Sequence, residues 1–365
     1  PYIIHVECTK CMLKVRKGDE RMKEVYAVTG ALGFLGNAIV DNLLSKGKTV
    51  KVMDIGQDRY GVLKDKDVRF FRADVCDAAS MEDFFTVEDD QELIVIHAAG
   101  IVSISSKFSQ LMYDVNVKGT QNIVDMALKH KIKKLVYVST VHAIPELPKD
   151  EMIAEISEFN PDLVEGEYSK TKAMATKIVM DSVQQGLYAM VVHPSGIIGP
   201  GDYAGGHMTQ LVKDCAEGRL TACVRGGYDF VDVRDVAEGI VLAAEKGKSG
   251  NAYILSGEYY PIKKITDTIC SVLGKKQIKT ILPLWFAKMT APLAELYYRI
   301  KKQKPLFTSY SLYTLQSNSN FNSKKAQQEL GYKLKFSLKQ SIEDTYMWIK
   351  ANNLIRRKKK VASKA

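Results

Sequence analysis

The chain has 365 residues, 46% hydrophobic and 26% charged, which suits a packed core and excludes a low-complexity protein. Six cysteines are too sparse for a disulfide framework and point to a reducing cytoplasm, and no apolar run reaches the ~20 residues of a membrane span. The net charge of +10 gathers at the ends: residues 356–365 hold six Lys/Arg and no acid and residues 1–21 five basic and three acidic side chains, so the body carries +2 and does not read as a nucleic-acid surface.

Residues 1–23 read as a leader that is foreign to the native chain or disordered, with no apolar signal-peptide core. Lys17-Gly18-Asp19 can be encoded by a ribosome-binding sequence just upstream of Met22. Cys8-x-x-Cys11, with His5 nearby, has no second ligand pair for structural zinc and no βαβ setting for a redox pair, so no metal is expected.

From Glu24 strands and helices alternate. "EVYAVTG" is a β-branched strand, and residues 34–46 have helical spacing at Phe34, Ile39, Val40, Leu43 and Leu44. "TVKVMD", "VRFFRAD" and "LIVIHAAG" are further strands, then a helical stretch covers about 107–130. "KKLVYVST", a helix over about 167–185 and "YAMVVHPSG" complete the series. Near-continuous apolar strands between helices predict an α/β, doubly wound parallel sheet of Rossmann type over 24–200. Residues 201–352 read as a smaller C-terminal substrate lobe with segments returning to the core, and 353–365 as a basic disordered tail able to touch a membrane surface weakly.

Thr29-Gly30-Ala31-Leu32-Gly33-Phe34-Leu35-Gly36 follows the first strand and opens the first helix. Glycines there allow close approach to a pyrophosphate, and the helix N-terminus supplies free N–H groups and partial positive charge. Asp54, closing strand two, suits a ribose diol and favours NAD, while Arg59 leaves NADP open. Asp74 closes strand three and can reach an adenine edge; Ala98, Ala99 and Gly100 close strand four and allow close cofactor contact.

Tyr168 and Lys172 lie four apart on one helix face, where an ammonium lowers the phenol pKa and holds the nicotinamide ribose. The spacing recurs elsewhere, but only Tyr168 opens the helix after strand five. That strand ends in Ser139-Thr140, which offers a hydroxyl to the same substrate oxygen. The loop 191–203, "VVHPSGIIGPGDY", reads as a buried strand running into a proline–glycine loop over the nicotinamide end, with Pro194 and Ser195 beside the carboxamide.

TGALGFLG, Asp54, Asp74, HAAG, Asn116 in "VNVKGTQN", "VYVST", YSKTK and "HPSGIIGPGD" resemble an extended short-chain dehydrogenase/reductase of the NAD-dependent epimerase/dehydratase superfamily, over about 24–350. The resemblance implies Thr140, Tyr168 and Lys172 as the catalytic set, Thr140 replacing the more usual serine, with Asn116 supporting the active-site helix and a proton relay. It implies cofactor contacts from Gly30, Gly33, Phe34, Leu35, Gly36, Asp54, Asp74, Val75, Ala98, Ala99, Gly100, Tyr168, Lys172, Pro194 and Ser195, and a homodimer through the helices at 107–130 and 167–185.

No acid follows Thr140 in "STVHAIPE", where sugar-nucleotide 4,6-dehydratases carry an Asp-Glu pair. Gly196 stands where sugar-nucleotide epimerases have an asparagine in "RYFNVYGP". The stretch instead resembles dihydroflavonol-4-reductase-like and 3β-hydroxysteroid-dehydrogenase-like members. The expected activity is NAD(P)-dependent hydride transfer with a secondary alcohol or ketone on an apolar, steroid- or flavonoid-like small molecule. The alternatives are a nucleotide-sugar epimerase and a non-catalytic NAD-binding regulator. His142, Tyr203 and His207 lie on loops near the expected cleft as candidate substrate contacts. The apolar stretch 280–298 reads as a pocket wall, a membrane-touching mouth or a core helix.

Overall fold

The computed structural model describes residues 22–103, 107–283, 285–287, 289–290 and 309–355. The leader with Cys8 and Cys11, the tail 356–365, and residues 284, 288 and 291–298 of the apolar stretch lie outside them. Elements are numbered in chain order, the short ones being α2(Glu82–Phe85), α3(Gln110–Tyr113) and the pair β8(Ala222–Val224) and β12(Thr280–Leu282). Seven strands form one parallel sheet in the order β3(Val68–Arg72), β2(Thr49–Asp54), β1(Lys23–Thr29), β4(Gln91–His97), β5(Lys134–Val138), β6(Ala189–Pro194) and β10(Ala252–Leu255). β1 and β4 are adjacent though far apart in sequence, so the strand order reverses there and opens a crevice at the strand C-termini.

Alternation along each strand supplies two cores. Tyr26 and Val28 of β1 face α1(Phe34–Ser45) and α7(Val233–Lys246), packing with Ile39, Leu43, Val236 and Ile240. Val25 and Ala27 face α4(Gly119–Lys129) and α5(Glu167–Ser182), packing with Ile123, Val124, Ala175 and Val179. Both faces are covered, which explains why these strands read as continuous apolar runs. The helical stretch at 107–130 is not uniform: between Gln110–Tyr113 and α4 the chain makes a π turn over Asp114–Lys118. Such turns are rare and collect at functional sites.

The later segment forms a smaller lobe of α6(His207–Glu217), α8(Ile262–Val272) and the helix Leu338–Ala351 around Val212, Ile265, Ile269 and Ile342. α7 and β10 return from it to the main sheet.

The structure corrects the reading of 191–203 as a strand followed only by loop. After Pro194, Gly196–Ile198 form β7, which pairs in parallel with β9(Gly227–Asp232); β9 pairs antiparallel with β11(Glu258–Pro261). A Cβ on Gly196 would lie 2.8 Å from the Asp229 carbonyl oxygen and 2.8 Å from the Phe230 ring. Glycine is required there by the close approach of β7 to β9, whatever its bearing on a diphosphate. β3 likewise stops at Arg72, so Asp74 lies two residues beyond the strand it was expected to close.

Candidate active site

The glycine-rich turn joins β1 to α1. Gly30 has φ 70°, a left-handed conformation that favours glycine, and a Cβ there would lie 2.7 Å from the Ala99 Cα. A Cβ on Gly36 would lie 2.1 Å from the Gly30 oxygen. The first helical residues, Phe34 and Leu35, belong to the turn whose N–H groups have no partner inside the helix. Asp54 accepts from Leu32 N (3.1 Å) and Gly56 N (3.0 Å), locking the end of β2 to the turn. Side-chain-free backbone at the mouth of a helix, with a carboxylate at the neighbouring strand end, fits the pyrophosphate and ribose of a dinucleotide.

Around this seat the remaining candidates differ in setting. Asp74 accepts from Cys76 N (2.9 Å); Val75 is buried and its carbonyl accepts from Asn122 (2.9 Å). Ala98 and Ala99 are half-buried and Gly100 is exposed. Asn116, buried within the π turn, accepts from Ile101 N (2.8 Å) and donates to Ile101 O (3.0 Å) and Thr171 Oγ1 (3.1 Å). It therefore ties the segment after β4 to α5.

Lys172 is the unusual group. It is buried, donates to the Val138 carbonyl (2.7 Å) and lies 4.3 Å from the centroid of the Tyr137 ring. Burial pushes its ammonium down to about 7. Tyr168, half-buried, sits one turn earlier on α5, and Thr140 is two residues beyond Val138. Thr140 is buried; its hydroxyl accepts from His142 N (3.3 Å) and its carbonyl accepts from His193 Nδ1 (2.8 Å). Pro194 is buried and pairs with Leu255. Ser195 donates to Asp229 Oδ1, which also accepts from Gly257 N (2.8 Å). Burial pushes the Asp229 carboxyl up to about 6 against those two bonds.

Two adjoining cavities of about 210 and 610 Å3 share Ser317, Asn318 and Phe321. The smaller is lined by Val141, His142 and Ser169, each next in chain to a catalytic candidate or its neighbour, and by Ile144, Tyr228 and Phe321. His142 stacks on Tyr228 (5.5 Å, 16°), with the phenol 2.9 Å from its Nε2, and burial pushes the imidazole down to about 4. Tyr203 and His207 line neither cavity. Tyr203 stacks on Tyr60 (4.6 Å), meets Trp348 edge-on and donates to Asn352 (3.1 Å), so its ring and hydroxyl join the loop after β2 to the last helix. His207 is exposed at the start of α6. In the apolar stretch Trp285 and Met289 are exposed, while Ala287 is buried against Val224 and Leu312.

Sequence reasoning assigned no role to Tyr228, Asp229 or His193. Their contacts join residues 34 to 86 positions apart, and no local pattern marks them.

A family model described as "NAD dependent epimerase/dehydratase family" matches residues 26–256. Sterol demethylase protein B of Methylococcus capsulatus is 28% identical over 334 residues, covering 90% of this chain and 99% of that protein. The vaccinia virus (strain Ankara) 3 beta-hydroxysteroid dehydrogenase/Delta 5-->4-isomerase is 28% identical over 352 residues, covering 89% and 98%. Among solved structures, gox2253 superposes with a TM-score of 0.78 at 27% identity over 91% of this chain and 99% of that one.

Proposed function

Because the chain belongs to the NAD dependent epimerase/dehydratase family, is an enzyme acting on CH–OH groups and has NAD as its cofactor, we propose that it oxidises or reduces a secondary alcohol or ketone on an apolar, steroid- or flavonoid-like molecule. The observation that carries this reading is the buried Lys172, held by the Val138 carbonyl and the Tyr137 ring of β5 one helical turn from Tyr168. When bound, NAD supplies the hydride acceptor or donor. Gly30, Gly33, Phe34, Leu35 and Gly36 cradle its pyrophosphate, Asp54 its adenine ribose, and Asp74 with Val75 flank its adenine. Ala98–Gly100, Pro194 and Ser195 border its nicotinamide half.

Tyr168 hands a proton to the substrate oxygen or takes one from it. Lys172 stabilises the phenolate and bonds the ribose, and Thr140 donates to the same oxygen. Asn116 holds the segment after β4 against α5 and supports the proton relay. His142 contributes one polar group to the smaller cavity, where Ile144, Tyr228 and Phe321 stand beside the carboxylates Glu146, Asp162 and Glu165. The printed activities of the sterol and hydroxysteroid relatives support an apolar alcohol. Further parts of the proposal are a cytoplasmic location, a homodimer through α4 and α5, and weak contact of residues 356–365 with anionic membranes.

The test offers the purified enzyme with NAD a panel of hydroxysteroids, dihydroflavonols and UDP-sugars. Net NADH formation with a steroid or flavonoid alcohol is expected. Interconversion of a UDP-sugar without net NADH overturns the proposal in favour of an epimerase, and tight NAD binding without turnover of any alcohol or ketone overturns it in favour of a regulator.

A further inference from the structure

His97, the last residue of β4, is fully buried and belongs to none of the roles above. Its Nδ1 lies 2.8 Å from Thr29 Oγ1 and its Nε2 3.2 Å from Thr120 Oγ1. The neighbours settle which atom donates. The Thr120 hydroxyl spends its single proton on the Asn116 carbonyl (2.7 Å), so towards His97 it accepts, and Nε2 carries the ring proton. In the neutral ring Nδ1 then accepts, and the Thr29 hydroxyl donates to it. That leaves Thr29 Oγ1 as acceptor for the Ala99 N–H (3.2 Å). The ring is held neutral: burial, and then the Lys172 charge, push it down to about 3.

The result is one continuous hydrogen-bonded line with a single polarity: Ala99 N–H to Thr29, Thr29 to His97, His97 to Thr120, Thr120 to the Asn116 carbonyl. One end is the glycine turn. Thr29 precedes Gly30, and Ala99 is the residue a Gly30 Cβ would strike. The other end is the π turn, whose Asn116 side chain holds Ile101 and Thr171. We propose that His97 is a positioning residue that sets the cofactor-facing pair Gly30–Ala99 against the Asn116 turn, so that the dinucleotide seat and the active-site turn are held by one imidazole. This rests on the placement of NAD at the glycine turn and on nothing about the substrate.

NAD binding reads the inference without any substrate. His97→Phe keeps a ring of similar size and removes both bonds. It is expected to raise the Kd for NAD about tenfold, the worth of one net hydrogen bond. His97→Gln, which keeps one donor and one acceptor, is expected to recover most of that loss. Both are measured by calorimetric titration well below each variant's melting temperature, where a loss of global stability alone leaves Kd unchanged. A folded His97→Phe variant with wild-type Kd, or a His97→Gln variant no better than Phe, overturns the inference. Should His97→Phe fail to fold, Thr29→Val removes one link with a side chain of equal shape; a wild-type Kd there overturns it equally. Wild-type protein that does not bind NAD overturns the cofactor placement instead, which separates the two failures.

Discussion

Replacing Lys172 by methionine separates what the lysine costs from what it does. The buried ammonium falls from the ordinary 10.5 to about 7. Below pH 7 native and unfolded chains both hold the proton, and the native chain bears the cost of burying the charge. Between the two values the unfolded chain keeps a proton that the native chain has released, so stability rises with pH by up to about 1.4 kcal/mol per unit. Integrated from pH 6 to pH 8 this gain is about 1.4 kcal/mol. Histidines 97, 142 and 193, all pushed down by burial, add their own gain over the same range. The informative quantity is therefore the difference between wild type and Lys172→Met. Urea denaturation of the cofactor-free protein at the two pH values is expected to show wild type gaining about 1.4 kcal/mol more than the variant. The variant is also expected to lose turnover. Equal gains in the two proteins mean that Lys172 is not a desolvated cation, and retained turnover refutes its role beside Tyr168.

Tyr168→Phe is expected to leave the Kd for NAD within about twofold and to lower turnover by roughly 10²–10⁴, measured by calorimetry and NADH formation; unchanged turnover refutes the assignment. Gly196→Ala forces a Cβ to 2.8 Å from the Asp229 oxygen and the Phe230 ring, so a loss of about 1–3 kcal/mol is expected by urea denaturation. Asp229, pushed up from 3.8 to about 6, favours the native state in its protonated form, a benefit lost as pH rises from 3.8 through 6. Asp229→Asn keeps an acceptor for Ser195 and Gly257, so it is expected to gain on wild type by up to about 3 kcal/mol at pH 8 and to lose that advantage by pH 4, in the same denaturation assay.

The glycine turn and its acid were legible because their signals are local. A glycine turn between a strand and a helix and an acid at the next strand end are properties of short windows, and here Gly30 and Asp54 do lock to one turn. The parallel sheet was legible for a similar reason, since strands covered on both faces lose their alternation. β7 was not. It has three residues, stands among prolines and glycines, and exists because β9 lies against it from more than thirty residues away. That pairing also changes what Gly196 means: a residue read as a missing diphosphate contact is one the backbone packing demands. The buried polar partners were hidden for the same physical reason. His97, His193, Tyr228 and Asp229 are defined by partners brought in from other elements, which no short window of the sequence shows.

The hydroxyl protons distinguish Ser139 from Thr140, which stand side by side just after β5. Thr176 donates to the Lys172 carbonyl (2.7 Å), so in its contact with Ser139 (2.7 Å) Thr176 accepts and the Ser139 proton is spent inside α5. Thr171 donates to the Tyr168 carbonyl, Thr120 to the Asn116 carbonyl, and Ser195 to Asp229. The Thr140 hydroxyl accepts from His142 N, and among the described residues nothing takes its proton. A buried hydroxyl with an uncommitted proton gains from an incoming oxygen acceptor, whereas Ser139 would first have to break its bond to Thr176. The free proton therefore lies on Thr140, two residues beyond the Val138 carbonyl that holds Lys172. The reading fails if Ser139→Ala abolishes turnover while Thr140→Val leaves it intact.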